Sequence, residues 1–191
     1  MNASNTNDNI LSIAVLEAIN NLKQRFKKHL NKPFIIILAS KQVLLLIDNN
    51  EVIQRYVIST AKAGLGNKKN SYQTPLGAHE ISHLLGEDAE LGTIFKARIN
   101  TQKCANILTN PQQRSNVDNI TTRILWLKGL EAGVNLGGEV DTHERFIYIH
   151  GTDEEGQLGS PVSHGCIRMG NLDIIDLFSK VEIGTLVNII H

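Results

Sequence analysis

The spacing of apolar residues changes near residue 33. Before it, Leu11, Val15, Ile19, Leu22, Phe26 and Leu30 recur every three or four positions, the single stripe of an amphipathic helix. Asp8 is suited to cap its start, and Asn31 with Pro33 to stop it. After it, short apolar runs at 34–38, 43–47 and 52–58 are separated by breaks at 40–42 and at Asp48-Asn49-Asn50, which predicts an antiparallel meander. Residues 64–71, rich in Gly, Asn and Lys, predict a loop, and Thr74-Pro75-Leu76-Gly77 a tight turn. Further strands are expected at 78–84, 93–99, 121–127 and 185–190, and at 145–149, which would deliver His150 at its end. Residues 129–139 are Gly-rich and loop-like, and 173–181 predict one short helix. Residues 100–119 are polar and aperiodic; a loop of that length inside a compact domain often serves as a lid or binding loop. The sum is a mainly β fold, with a helix over 1–32 packed on one domain spanning 33–191.

Composition narrows the function classes. The chain has 191 residues, enough for a domain with a substantial core. Lys plus Arg and Asp plus Glu both total 19, so the formal net charge is zero and bulk electrostatics favours neither nucleic acid nor an acidic membrane as partner. The two cysteines, Cys104 and Cys166, form no C-x-x-C pair and no disulfide framework. Residues 1–9 are polar and lack Lys and Arg, so the positive region of a secretory signal is missing. The apolar stretch 10–19 is interrupted by Ser12 and Glu17 and is too short to span a bilayer. A cytosolic protein is expected. Lys23, Arg25, Lys27 and Lys28 read as a solvated face near the negative end of the helix, in preference to a membrane-surface helix.

The chemistry concentrates in Ser163-His164-Gly165-Cys166-Ile167-Arg168-Met169, with His150 a short way upstream. A thiol attacks a carbonyl as thiolate, so a histidine able to take its proton is the partner it needs. Gly165 allows the backbone to bend and to aim N–H groups at a developing oxyanion. A buried structural cysteine is the bland alternative, which these neighbours disfavour. His143, His150, His164 and Cys166 lack the ligand spacing of a zinc site, so neither metal nor cofactor is expected. Histidines preceding the cysteine, and the absence of Gln-Ala-Cys, exclude papain-like and caspase-like arrangements. The residues alone leave the base open: His164 would share a face with Cys166 in an extended chain, while His150 at a strand end would be held rigidly. Arg168 stands in the same relation to Cys166, its bland alternative being a surface salt bridge. His79 and His83 alternate on one predicted strand and should share a partly exposed face. Trp126 is expected in the core. Arg123, Asp141 and Tyr148 are cleft or supporting candidates, and Cys104 has no visible base.

His150-Gly151-Thr152, the run from Ser163 to Met169, then Asn171 and Asp173, together with Thr74-Pro75-Leu76-Gly77, His79 and Ile81, resemble the YkuD family of L,D-transpeptidases. The resemblance runs from about residue 34 to the C-terminus. It implies a β-sandwich with the cysteine in a cleft, acting on peptidoglycan stem peptides or muropeptides. The carbonyl of the L-centre of meso-diaminopimelate would be attacked and the terminal D-alanine expelled. By this likeness Cys166 is the nucleophile and His150 the base, oriented by the carbonyl of Gly151. His164 and the N–H groups of Gly165 and Cys166 would line the oxyanion site, and Arg168 and Ser163 would support the site or meet substrate. The thioester then goes to water or to an amine. The missing export signal favours an L,D-carboxypeptidase of murein recycling, ahead of a cross-linking L,D-transpeptidase and of a non-catalytic muropeptide-binding module. The oligomeric state stays open.

Overall fold

The computed structural model describes residues 3–29 and 32–191. Helix α1 (Ala3–Arg25) is followed by strands β1 (Phe34–Leu38), β2 (Val43–Asp48), β3 (Glu51–Ser59), β4 (Gly77–Leu85), β5 (Thr93–Lys96), β6 (Ile99–Cys104), β7 (Ile120–Gly129), β8 (Tyr148–Thr152) and β9 (Ile167–Met169). Helix α2 (Asn171–Phe178) and strand β10 (Leu186–Ile190) complete the described chain. The strands form one ladder in the order β4-β10-β1-β2-β3-β9-β8-β7-β5-β6, and β4 also pairs with β7. The ladder therefore closes into a flattened β-sandwich joined at both edges, and the β5–β6 hairpin hangs outside it on β7.

Alternation along each strand sorts side chains to the two faces. The interior holds Ile35, Ile37, Leu44, Leu46, Ile58, Ile81, Leu125, Leu127, Ile149, Ile167, Met169, Val187 and Ile189, with Ile174 and Leu177 of α2 among them. The outer face of β1, β2 and β10 carries Phe34, Ile36, Leu38, Leu45, Ile47 and Leu186, covered by Val15, Ala18, Ile19 and Leu22 of α1. Double-sided burial explains why β1 and β2 read as unbroken apolar runs rather than as alternation.

Several predicted boundaries move. Helix α1 begins at Ala3, so Asp8 lies within it rather than capping it; an apolar stripe marks where a helix is buried, not where it starts. Asn31, the expected stop, lies outside the described residues. The single strand expected at 93–99 is a hairpin, because Ala97 and Arg98 take φ of 47° and 69° between β5 and β6. A two-residue turn with both φ positive matches the twist of paired strands. It usually announces itself as Asn-Gly, so Ala-Arg gave no signal. The aperiodic loop shrinks to 105–119. Phe146, at φ 56°, breaks the strand expected at 145–149, and His150 falls in the middle of β8 rather than at a strand end. A bulge between Ile81 and His83 puts His79 and His83 on different faces: His79 is fully buried and His83 exposed.

Nδ1 of His79 lies 2.9 Å from the Gly77 carbonyl and therefore carries the hydrogen, while Nε2 lies 3.1 Å from the Thr142 hydroxyl. Burial lowers its pKa to about 4. A histidine buried neutral contributes stability that is complete above its unfolded pKa of about 6.5 and is lost as pH falls toward the folded value. Urea unfolding should accordingly show a loss of ~3 kcal/mol from this residue between pH 7 and pH 4. His79→Gln should flatten that acid slope, and parallel slopes for variant and wild type would contradict the assignment.

Candidate active site

Strands β8 and β9 are parallel neighbours, with Ile149 opposite Ile167 and His150 opposite Arg168. Since Ile149, Ile167 and Met169 point inward, Tyr148, His150 and Arg168 project from the other face. Cys166 enters this face just before β9. Its Sγ accepts the Tyr148 N–H at 3.4 Å and donates to the Phe146 carbonyl at 3.5 Å.

The loop that presents the thiol is held from three sides. Gly165 has φ 132°, and a Cβ there would stand 3.3 Å from Ile147 Cδ1. Thr74, fully buried, donates its hydroxyl to the Gly165 carbonyl (2.9 Å) and accepts the Ala61 N–H (2.9 Å). The threonine of Thr-Pro-x-Gly thus clamps the peptide beside Cys166. Ser163 Oγ donates to the Cys166 carbonyl (2.6 Å) and accepts the Gly165 N–H (3.2 Å). Ser163 is buried and braces the loop instead of facing a substrate. The Gly165 N–H expected in an oxyanion site is committed to Ser163. Residues 164–166 form a bend, not an extended segment, so His164 does not share a face with Cys166. Its side chain is 71% exposed and its Nδ1 lies 2.8 Å from Asp118 Oδ2.

His150 is 2% exposed. Its Nδ1 sits 2.7 Å from the Gly151 carbonyl, which can only accept, so Nδ1 carries the hydrogen and Nε2 the lone pair. Among the described residues Nε2 has no hydrogen-bond partner, and His150 is not bonded to Cys166. A Cβ on Gly151 would lie 2.7 Å from both Asn171 Oδ1 and the Thr121 carbonyl, so only glycine fits there. Asn171 ties this corner together through Thr121 Oγ1 (2.7 Å) and the Thr152 carbonyl (2.8 Å).

Arg168 is not a surface residue. Its side chain is 2% exposed, with one terminal nitrogen 2.8 Å from Glu154 Oε2 and the other 2.7 Å from Asp118 Oδ2. Its Nε is buried without a partner. Burial pushes the Cys166 thiol up to about 12, the Tyr148 N–H opposing. Burial lowers the pKa of His150, with Asp118 the main opposing influence. For Asp118 burial acts to raise the pKa, but His150, Arg168 and His164 together hold it below the ordinary carboxylate value. The resting pair is therefore a neutral thiol and a neutral imidazole.

Trp126 is not core. It stacks on His143 at 3.9 Å and stands edge-on to Tyr148 at 5.6 Å. The Arg98 guanidinium lies between Trp126 (4.7 Å) and Phe146 (4.9 Å) and donates to the Tyr148 hydroxyl at 3.0 Å. Arg123 is buried against the Ala89 and Thr122 carbonyls, and Asp141 accepts backbone N–H groups of its own turn, so neither lines the cysteine. Two clefts meet at His164. One, of about 280 Å³, is lined by Lys69, Tyr72, Arg145 and Phe146. The other, of about 420 Å³, is lined by Lys62, Arg114, Asp118 and Arg168. A larger cleft of about 530 Å³ lies beside His83 and His143, and none of the three is lined by Cys166 or His150. No group of three or more potential metal ligands is found among the described residues. Asp118 and Glu154 had no sequence signal, because the contacts that define them are made across the fold.

A neutral, half-buried thiol alkylates slowly. At pH 7 iodoacetamide should label the exposed Cys104 well before Cys166. Cys166 labelling should rise steeply only in strong alkali, as followed by peptide mass spectrometry. Equal rates at pH 7 would mean a resting thiolate–imidazolium pair.

The YkuD family, described as the L,D-transpeptidase catalytic domain, matches residues 32–189. The probable L,D-transpeptidase YbiS of Escherichia coli strain K12 is 50% identical over 46 residues, 24% of this chain and 15% of that protein. The putative L,D-transpeptidase YqjB of Bacillus subtilis strain 168 is 46% identical over 46 residues, 24% of this chain and 26% of that protein. The match thus spans about a quarter or less of these relatives' length. Among solved structures, L,D-transpeptidase 3 from Mycobacterium tuberculosis with a faropenem-derived adduct shares the fold at a TM-score of 0.51 and 14% identity, over 84% of this chain and 60% of that one. An L,D-transpeptidase from Xylanimonas cellulosilytica gives 0.50 and 17%, over 84% and 61%.

Proposed function

The chain belongs to the YkuD family of L,D-transpeptidase catalytic domains, and from that premise we propose that it is a cysteine enzyme that cleaves peptidoglycan stem tetrapeptides as an L,D-carboxypeptidase. The observation that carries the chemistry is the fixed tautomer of His150, whose Nε2 is left as the base on the strand beside the nucleophile. The thiol proton passes to Nε2 as Sγ bonds to the carbonyl carbon of the L-centre of diaminopimelate. The C–N bond to D-alanine breaks, and the departing amine takes the proton from His150. Water then gives a proton to His150 and attacks the thioester, releasing the tripeptide carboxylate and restoring the thiol. The thiol must turn from the Phe146 carbonyl toward His150 for the first step, a tightening common on substrate binding.

Water as acceptor is favoured by charge. Lys62 and Arg114 line one cleft at His164, and Lys69 and Arg145 the other, while Asp118 and Glu154 are engaged by Arg168. An acceptor amine arrives as an ammonium ion and meets Lys62 and Arg114 in one cleft, and in the other Lys69 and Arg145 outnumbering Glu144, whereas water carries no charge to be repelled. Cross-linking transpeptidation is the second possibility, and the meeting of two clefts at His164 is the feature that favours it. Soluble muropeptides in the cytosol are the substrate source that this proposal adopts, to be checked by cell fractionation.

Cys166→Ala should abolish turnover with an unchanged circular dichroism spectrum. His150→Ala should lower it on the order of 10²-fold or more, the scale for losing a general base. Activity of the alanine variant at Cys166 within about tenfold of wild type would refute a covalent mechanism.

With a disaccharide tetrapeptide, mass spectrometry should show the tripeptide and free D-alanine. Dominant dimers, or exchange of an added D-amino acid, would replace the carboxypeptidase with a transpeptidase.

A further inference from the structure

In the chemistry proposed above, His150 must become positively charged in a place where 2% of its surface meets solvent. Forming an imidazolium there is costly unless a fixed negative charge stands beside it. The Gly151 carbonyl supplies a dipole to Nδ1 only. Arg168, directly across the β8–β9 ladder, carries the wrong sign. Cys166 is neutral at rest, and Asp118 and Glu154 share the one guanidinium of Arg168. Asp118 favours the protonated ring most, and Asp153, which holds Asn119, favours it less.

Asp118 reaches the site from the 105–119 loop. Its Oδ2 serves both Arg168 (2.7 Å) and His164 (2.8 Å), while Oδ1 has no hydrogen bond among the described residues. Arg168 and His150 are ladder partners, and the one guanidinium is met by two carboxylates, Asp118 and Glu154, so one net negative charge remains at that point of the β8–β9 ladder. Asp118 is the strongest of the surrounding groups in favouring the protonated ring. The loop is fastened near it by the Ser115 N–H to Glu154 (2.7 Å) and Asn119 Nδ2 to Asp153 (2.6 Å), so the charge is held in place before substrate arrives. Preorganised charge of this kind is worth most where water is excluded.

We propose that Asp118 is the positioning residue of the acyl-transfer step, its carboxylate stabilising the imidazolium that His150 becomes on taking the Cys166 proton. The third member of the site is then a side chain from a distant loop, acting on the imidazole through space, in addition to the Gly151 carbonyl. His164 has a matching part: by bonding to Oδ2 it keeps the carboxylate seated over Arg168.

The test is Asp118→Asn, which keeps the size of the group and an acceptor for Arg168 and His164 but removes the charge. Turnover with the tetrapeptide should fall about 10- to 100-fold with KM changed by less than about threefold, since the lost interaction forms only as charge develops. The acid limb of kcat/KM should move to lower pH, because His150 loses the group that favours its protonated form. Titration of the His150 ring by NMR should show the same downward movement without any substrate. A wrong substrate would silence the turnover assay and leave the NMR shift, so the two failures are distinct. Asp118→Glu keeps the charge and should keep both the acid limb and the ring titration near wild type, which also covers the case in which the asparagine variant fails to fold. An unmoved His150 titration in Asp118→Asn, or a shift in Asp118→Glu as large as in Asp118→Asn, would overturn the proposal.

Discussion

The buried guanidinium of Arg168 is the constraint around which the site is organised. Stripping an arginine of water is costly, and the two carboxylates that meet it come from separate stretches of chain, Asp118 before β7 and Glu154 after β8. A single side chain therefore draws the 105–119 loop and the turn after β8 onto β9, the strand that follows Cys166. Its unpartnered Nε argues that the arrangement is not the most stable one available at that position. An apolar residue would pack there at less cost, but would leave the loop without an anchor and Asp118 without a reason to face inward.

Around that anchor the reacting groups rest in their uncharged forms. Burial acts on Cys166 and His150 in opposite directions, raising the one and lowering the other, and both movements disfavour an ion pair. The thiol even directs its hydrogen at the Phe146 carbonyl. At rest neither group carries the charge that would make the thiol reactive toward electrophiles and oxidants.

What was legible in the sequence is what depends on neighbours along the chain. The meander of β1 to β3 and the helix after the cysteine follow from local pattern, and His150, Gly151 and Cys166 stand out by motif. Residues 163–169 announced a reactive loop because glycine and histidine flank the cysteine directly. The bulge at β4 was not legible, since one extra residue reverses the facing of His83 without changing composition. The turn at Ala97-Arg98 was hidden because neither residue is a usual bearer of positive φ. Asp118 was hidden for a different reason. Its importance lies in Arg168 and His164, far along the chain, and an aspartate in a polar loop looks like any other. Arg168 was visible in the motif, yet its burial was not, because burial of a charge is decided by whether carboxylates arrive to meet it.

Strand β10, at residues 186–190, does not extend an edge; it lies between β1 and β4, parallel to the first and antiparallel to the second. On the ribosome the ring therefore stays open until nearly the last described residue has emerged. Every residue assigned to the chemistry, from Asp118 to Arg168, is synthesised earlier, at a time when the walls that hold them have no closing stave. Non-local pairing of this sort folds slowly and late. A chain that stops short of β10 lacks the strand that joins β1 to β4, so the sheet is left open at that seam.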